Sequence, residues 1–381
     1  MEKPTLGTKF NALLATGRIA NLPTVWSNVL VGFWIASFFI GQYTTEVEGI
    51  RLGLLAFLLF NTSCIYVGGC MLGDALDIEF DKKNRPNRPL PQGILSVGTI
   101  KFIAFTLLIL ALTGTCVSTV VVFVGFFWWK GIFSISEILD VFISQDTLEG
   151  FQMHEMLFAC LLTTCVVTYA FVHKKNKPIA LILMASCRFF LVLFAIASAH
   201  KSFFGNFTSP EKPLLLDLNW LSLWMFILAI AVGTYTLLLS WVASTESEKG
   251  AFQKRNLLCG LLLTLPLLTF VFQIQIDSAP LERRTIWATE HSLGSGFEKS
   301  FNITDLLNFP ALFCALTILY AWLFFALRAL KTSKPAFVSR ALAGFCLLDA
   351  CFIAAFAPGI ACICLILFGL ALLLQRFAPA T

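Results

Sequence analysis

The sequence predicts an all-α fold, a polytopic transmembrane bundle of about nine helices whose membrane-embedded cavity opens to the cytoplasmic side. Three observations carry it: scarce charge, repeated apolar runs of bilayer length, and a one-sided distribution of Lys and Arg. Of 381 residues, 58% are hydrophobic and 13% charged. Soluble domains carry about 25% charged residues, so a water-facing surface could not be covered here. Apolar runs dominate nearly the whole length, which reads as a single membrane domain over residues 1–381.

A spanning helix needs about 20 largely apolar residues. Runs of that kind lie near 20–41, 51–73, 101–126, 156–172, 178–199, 220–243, 257–275, 305–327 and 341–374. Ala357-Pro358-Gly359 divides the last, so the spans number nine, or ten if that run makes two helices. Placing the N-terminus and residues 74–101, 173–177, 246–255 and 328–340 on one side puts 18 Lys and Arg there, against seven opposite. That bias assigns the first side to the cytoplasm. The acidic segment 130–155 lies opposite and allows an interfacial helix, and the loops 200–219 and 276–304 are external. Sequons occur at Asn206 and Asn302. The twelve cysteines are scattered through apolar runs without metal-ligand spacing and read as small core residues. No cleavable signal peptide is expected, and no nucleic-acid partner; the surroundings are membrane lipids.

One cytoplasmic loop differs from the rest. Asp74, Asp77 and Asp81 fall at i, i+3 and i+7. On a helix continuing out of the second span they share one sector of about 60°. Three carboxylates on one stripe repel unless a cation sits among them. Such hard oxygen ligands suit Mg²⁺, which binds through one or two carboxylates plus substrate phosphates. Lys82, Lys83, Arg85 and Arg88 follow directly and suit phosphate oxygens. Metal and diphosphate would then meet at the membrane mouth while a lipid tail stays in hydrocarbon.

This segment resembles the first aspartate-rich motif of the UbiA-type prenyltransferases. Asp74, Asp77 and Asp81 match its aspartates, and Arg85-Pro-Asn-Arg88-Pro-Leu-Pro-Gln-Gly93 its Arg-Pro-rich tail. Gly73 stands where the family has asparagine. Arg18-x-x-Asn21-Leu-Pro-Thr-Val-Trp-Ser-Asn28 is similar to the family's first helix, and Tyr169-Ala-Phe-Val-His173-Lys174-Lys175 to a further family segment. The usual second Asp-x-x-x-Asp is degenerate, its place being held by Glu246 and Glu248. At i, i+2 these diverge around a helix, and Glu246, nearer the helix end, is the expected carboxylate. That departure, with Ser186-Cys-Arg188, resembles a branch whose second motif is degenerate.

The resemblance implies an Mg²⁺-dependent prenyltransferase in a bacterial plasma membrane, using a prenyl diphosphate and an aromatic, lipophilic acceptor. Asp74, Asp77 and Asp81 would bind metal and act with Arg188 in catalysis. Asn28, Lys82, Arg85, Arg88, Tyr169, Lys174 and Glu246 would bind substrate. Arg188 and Asp349 lie deep in spans, where ionisable residues face a cavity or a partner, and each could pair with the other. Asn61 is expected to bond a neighbouring helix. His173, beside lysines, reads as interfacial. The rival readings are a non-catalytic relative and, less favoured, a transporter, which would show internal repeats and more buried charge.

Overall fold

The computed structural model describes residues 5–40, 45–130, 154–201, 220–244, 310–330, 333–354 and 357–377, with Ser134 and Gly260 as isolated positions. All regular structure among them is helical. In chain order the helices are α1 (Leu6–Thr16), α2 (Leu22–Ile40), α3 (Thr45–Leu76), α4 (Ile78–Asn84), α5 (Val97–Lys130), α6 (His154–Val172), α7 (Lys177–Lys201), α8 (Trp220–Ser244), α9 (Pro310–Leu330), α10 (Lys334–Ala354) and α11 (Pro358–Phe377). A 3-10 turn, Ile19–Asn21, joins α1 to α2. Nine helices among the described residues are long and apolar enough to cross a membrane. The chain is an integral membrane protein.

Proline marks several helix starts. It lacks an N–H and its φ is fixed near the helical value, so the first turn of a helix accommodates it. Pro310 and Pro358 open α9 and α11, while Pro178 and Pro335 stand second in α7 and α10. The long apolar run at 341–374 accordingly forms two helices, broken before Pro358. Apart from Gly260, the expected span 257–275 lies outside the described residues, as do the acidic segment 135–153, the loops 202–219 and 276–304, and Glu246 and Glu248.

Two helices form the centre. The spans in α2 and α10 are 83% and 78% buried within the protein, whereas those in α5, α6, α9 and α11 lie between 22% and 28%. The outer helices therefore present most of their apolar surface to lipid, while α2 and α10 must satisfy every polar group internally. Helix α2 packs on α3, α7, α10 and α11, and α3 packs on α5 and α6. Gly32 permits the close approach of α2 to α7, because a Cβ there would stand 3.1 Å from both the Val192 carbonyl oxygen and the Ala195 methyl. Tyr235 of α8 donates to the Ala341 carbonyl of α10 at 2.9 Å, and Trp26 of α2 donates to Ser63 of α3 at 2.9 Å.

Candidate functional site

The aspartate segment is not one continuous helix. Helix α3 ends at Leu76, Asp77 adopts φ −85° and ψ 3°, and α4 begins at Ile78. Backbone bonds from Asp77 N to Gly73 O and from Asp81 N to Asp77 O still run through the junction, so the chain bends without unravelling. The three aspartates divide between two sets of partners. Asp74 and Asp81 share one cation, while Asp77 is held by another element.

That shared cation is Arg88. The segment after α4 folds back through turns, with Gln92 N bonded to Arg88 O, Ile94 N to Pro89 O, and Gly93 at φ 73°, where a side chain would be strained. Leu90 is buried beneath it. The fold-back brings Arg88 Nη1 to 2.9 Å from Asp81 Oδ2 and 3.2 Å from Asp74 Oδ1. Asp81 Oδ1 is buried without a hydrogen-bond partner among the described residues.

Asp77 is gripped from the end of α6. His173 Nδ1 donates to the Tyr169 carbonyl at 3.0 Å, which aims Nε2 to within 2.9 Å of Asp77 Oδ2. Tyr169 stacks on the His173 ring at 5.0 Å between centroids. Lys174 Nζ lies 3.3 Å from the same carboxylate oxygen and 3.8 Å from the centre of the Phe80 ring. Burial pushes the Asp77 carboxyl up, but the His173 hydrogen bond, the His173 charge and Lys174 outweigh it and hold Asp77 below the usual carboxylate range.

Arg18 completes the cluster. Its Nη2 donates to Asp74 Oδ1 at 3.3 Å, the oxygen that Arg88 also reaches. Its backbone is left-handed, at φ 48° and ψ 45°, and among the described residues no other non-glycine residue has positive φ. For an L-residue that conformation costs about 1–2 kcal/mol. An ion pair whose arginine side chain is 36% exposed offsets little of it, since such pairs contribute about 0–1 kcal/mol.

A second polar cluster lies deeper, between α2, α7 and α10. Arg188 Nη1 donates to the Thr24 carbonyl at 2.9 Å and to Asn28 Oδ1 at 2.6 Å, and Nη2 donates to Thr24 Oγ1 at 2.8 Å. Asn28 Nδ2 and Ser27 Oγ in turn donate to Asp349 Oδ2, at 2.7 and 2.6 Å. Arg188 and Asp349 are thus joined through the Asn28 amide. The guanidinium also lies 4.8 Å from the centre of the Phe345 ring. Asn61 donates to Thr115 of α5 at 3.3 Å, the neighbouring-helix bond expected of it.

The structure therefore brings together Asp74, Asp77, Asp81, Arg88, Lys174 and Tyr169 at the mouth, with Asn28 and Arg188 in the deeper cluster. Lys82 is not part of either: it pairs with Glu79 at 3.2 Å on the exposed face of α4. Arg85 caps α4 and is exposed. Reading by residue type passed over two members. Arg18 sat within the first-helix resemblance without a role, and His173 was read as interfacial. The available signal was the repeat of the i, i+3, i+7 spacing by Asn21, Thr24 and Asn28 directly after Arg18.

In donor chemistry the three carboxylates fit a hard divalent cation, and the unpartnered buried Asp81 Oδ1 supplies an available lone pair. No three His, Cys, Asp or Glu side chains converge on one point among the described residues. Each aspartate is held by a basic side chain instead, so metal binding would exchange those partners.

Residues 25–135 match the model of the UbiA prenyltransferase family, and the resemblance carried by the aspartate motif is borne out over that stretch. A digeranylgeranylglyceryl phosphate synthase of Saccharolobus solfataricus is 33% identical over 95 residues, covering 25% of this chain and 30% of its own. The enzyme of the same name from Methanocaldococcus jannaschii is 33% identical over 104 residues, covering 27% and 34%. The chain spans about a third of the length of these curated relatives. A solved structure from work on digeranylgeranylglyceryl phosphate synthase in membranes aligns with 92% of this chain and 99% of its own, at 17% identity and a TM-score of 0.47.

Proposed function

We propose that the chain is, over its whole length, a membrane prenyltransferase of the UbiA type that takes its prenyl group from a Mg²⁺-bound prenyl diphosphate. The observation that carries this is the meeting of three aspartates with Arg18, Arg88, His173 and Lys174 at the end of a membrane span. Hard carboxylate ligands beside phosphate-binding cations, set where a lipid tail can remain in hydrocarbon, are what a lipid diphosphate requires.

Asp74, Asp77 and Asp81 would hold the metal, which when bound supplies positive charge against the developing charge of the leaving diphosphate. Release of Arg88 and Lys174 from the aspartates makes their N–H groups available to phosphate oxygens. The bond between the allylic C1 and the diphosphate oxygen breaks, and the electron pair leaves with the diphosphate. The acceptor's nucleophilic atom then bonds to C1 and loses its proton. Tyr169 and Phe80, which flank His173 and Lys174, keep those side chains oriented.

The motif resemblance favours an aromatic acceptor, in a bacterial plasma membrane with the site facing the cytoplasm. The names of the relatives favour a second reading, in which a glyceryl phosphate is prenylated. One assay separates the two. Purified protein in detergent, with Mg²⁺ and prenyl diphosphates of graded length, is supplied in turn with hydroxy-aromatic and glyceryl phosphate acceptors. Diphosphate release together with a prenylated product supports the reading and identifies the acceptor class. Neither Mg²⁺-dependent release nor donor binding would favour a non-catalytic relative.

A further inference from the structure

We propose that Arg18 is a donor-binding residue, placed by its left-handed backbone to take the headgroup diphosphate on the membrane side of the aspartates. The inference rests on the prenyl-donor reading above and deepens it. Its starting point is a mismatch between what Arg18 costs the fold and what it returns. Glycine or asparagine would adopt φ 48° and ψ 45° with less strain than arginine. The contact that arginine gains is one 3.3 Å bond, from a side chain that is 36% exposed, to an oxygen Arg88 already holds. Local stability does not account for arginine at this position. Strain of this kind points towards a functional side chain.

Position and spare capacity define the function. Asp74 is the first of the three aspartates along the chain, two residues before the end of α3, and Arg18 reaches it from the start of the first span. The guanidinium lies within electrostatic reach of Tyr66 and Tyr169, each one turn or more deeper than the mouth. Arginine carries five N–H donors, and the Arg18 guanidinium makes one hydrogen bond among the described residues. A diphosphate, with several anionic oxygens and a geometry suited to the arginine fork, matches that spare capacity.

The test compares the natural full-length chain with Arg18→Gly and Arg18→Lys in detergent, reading two quantities. The first is the melting temperature without ligand. The second is the affinity for inorganic diphosphate in the presence of Mg²⁺, by calorimetry. Arg18→Gly is expected to melt at the same temperature or higher, because the strain is relieved, and to bind diphosphate at least tenfold more weakly. Arg18→Lys, which keeps the charge without the fork, is expected to fall between the two. Diphosphate affinity within twofold of the natural chain in Arg18→Gly overturns the proposal. So does a lower melting temperature in that variant, which would make Arg18 a structural residue. Absence of diphosphate binding by the natural chain would instead remove the donor reading on which the proposal stands.

Discussion

Asp77 sits where the second span bends, with His173 and Lys174 both on one of its oxygens. Its folded-state pKa is lowered, so its contribution to stability is present above the unfolded carboxylate value and disappears as pH falls through the folded one. In detergent, the melting-temperature gap between the natural chain and Asp77→Asn should be open at about pH 4 to 5 and close as the pH is lowered further. A gap unchanged at lower pH would contradict the pairing. Deeper in the bundle, Asn28 serves Arg188 as acceptor and Asp349 as donor. Asn28→Leu removes both bonds and should cost about 1–2 kcal/mol, measured by thermal unfolding in detergent. The aspartates were legible in the sequence because their spacing is local and their chemistry follows from residue type. The role of His173 was not, since it depends on α6 meeting the end of α3, a contact between residues 96 apart in the chain. Lys82 and Arg85 are expected from their charge, yet both are exposed, Lys82 paired with Glu79 and Arg85 at the end of α4.

The membrane helices were legible wherever apolar length alone defines them. The end of the chain was less so. Residues 328–340 are expected as a connection between spans, but the preceding helix runs to Leu330 and α10 already begins at Lys334. Its first turns are stabilised by Ser339, which donates to Gln375 Oε1 of α11 at 2.8 Å and accepts at its carbonyl from Gln375 Nε2 at 3.1 Å. Arg340 lies 4.0 Å from the centre of the Phe325 ring of α9. These partners come from other helices, so a window of hydropathy cannot register them. The packing of α2 is tested at Gly32, where the obstacle to a side chain is the backbone of α7. Gly32→Val should destabilise the protein by about 1–3 kcal/mol and displace Arg188 from Thr24, lowering the melting temperature. An unchanged melting temperature would show that the two helices can separate without cost.

Across the whole molecule, three segments distant in sequence share one end of the bundle. Arg18, the aspartate segment and the end of α6 are tied together by ion pairs, in agreement with the charge bias that placed them on one side. Single cysteines at Asn87 and Asn176, in a chain whose native cysteines have been removed, should react with a membrane-impermeant reagent from the same side of sealed vesicles. Reaction from opposite sides would reverse the topology. The central claim is that this end of the bundle binds a metal and a prenyl diphosphate for reaction. Its most direct test is Mg²⁺-dependent diphosphate release from a prenyl diphosphate, comparing the natural chain with Asp77→Ala. Release by the natural chain, lost in a variant that still inserts and folds, is the predicted result. Equal release by both proteins would contradict the claim.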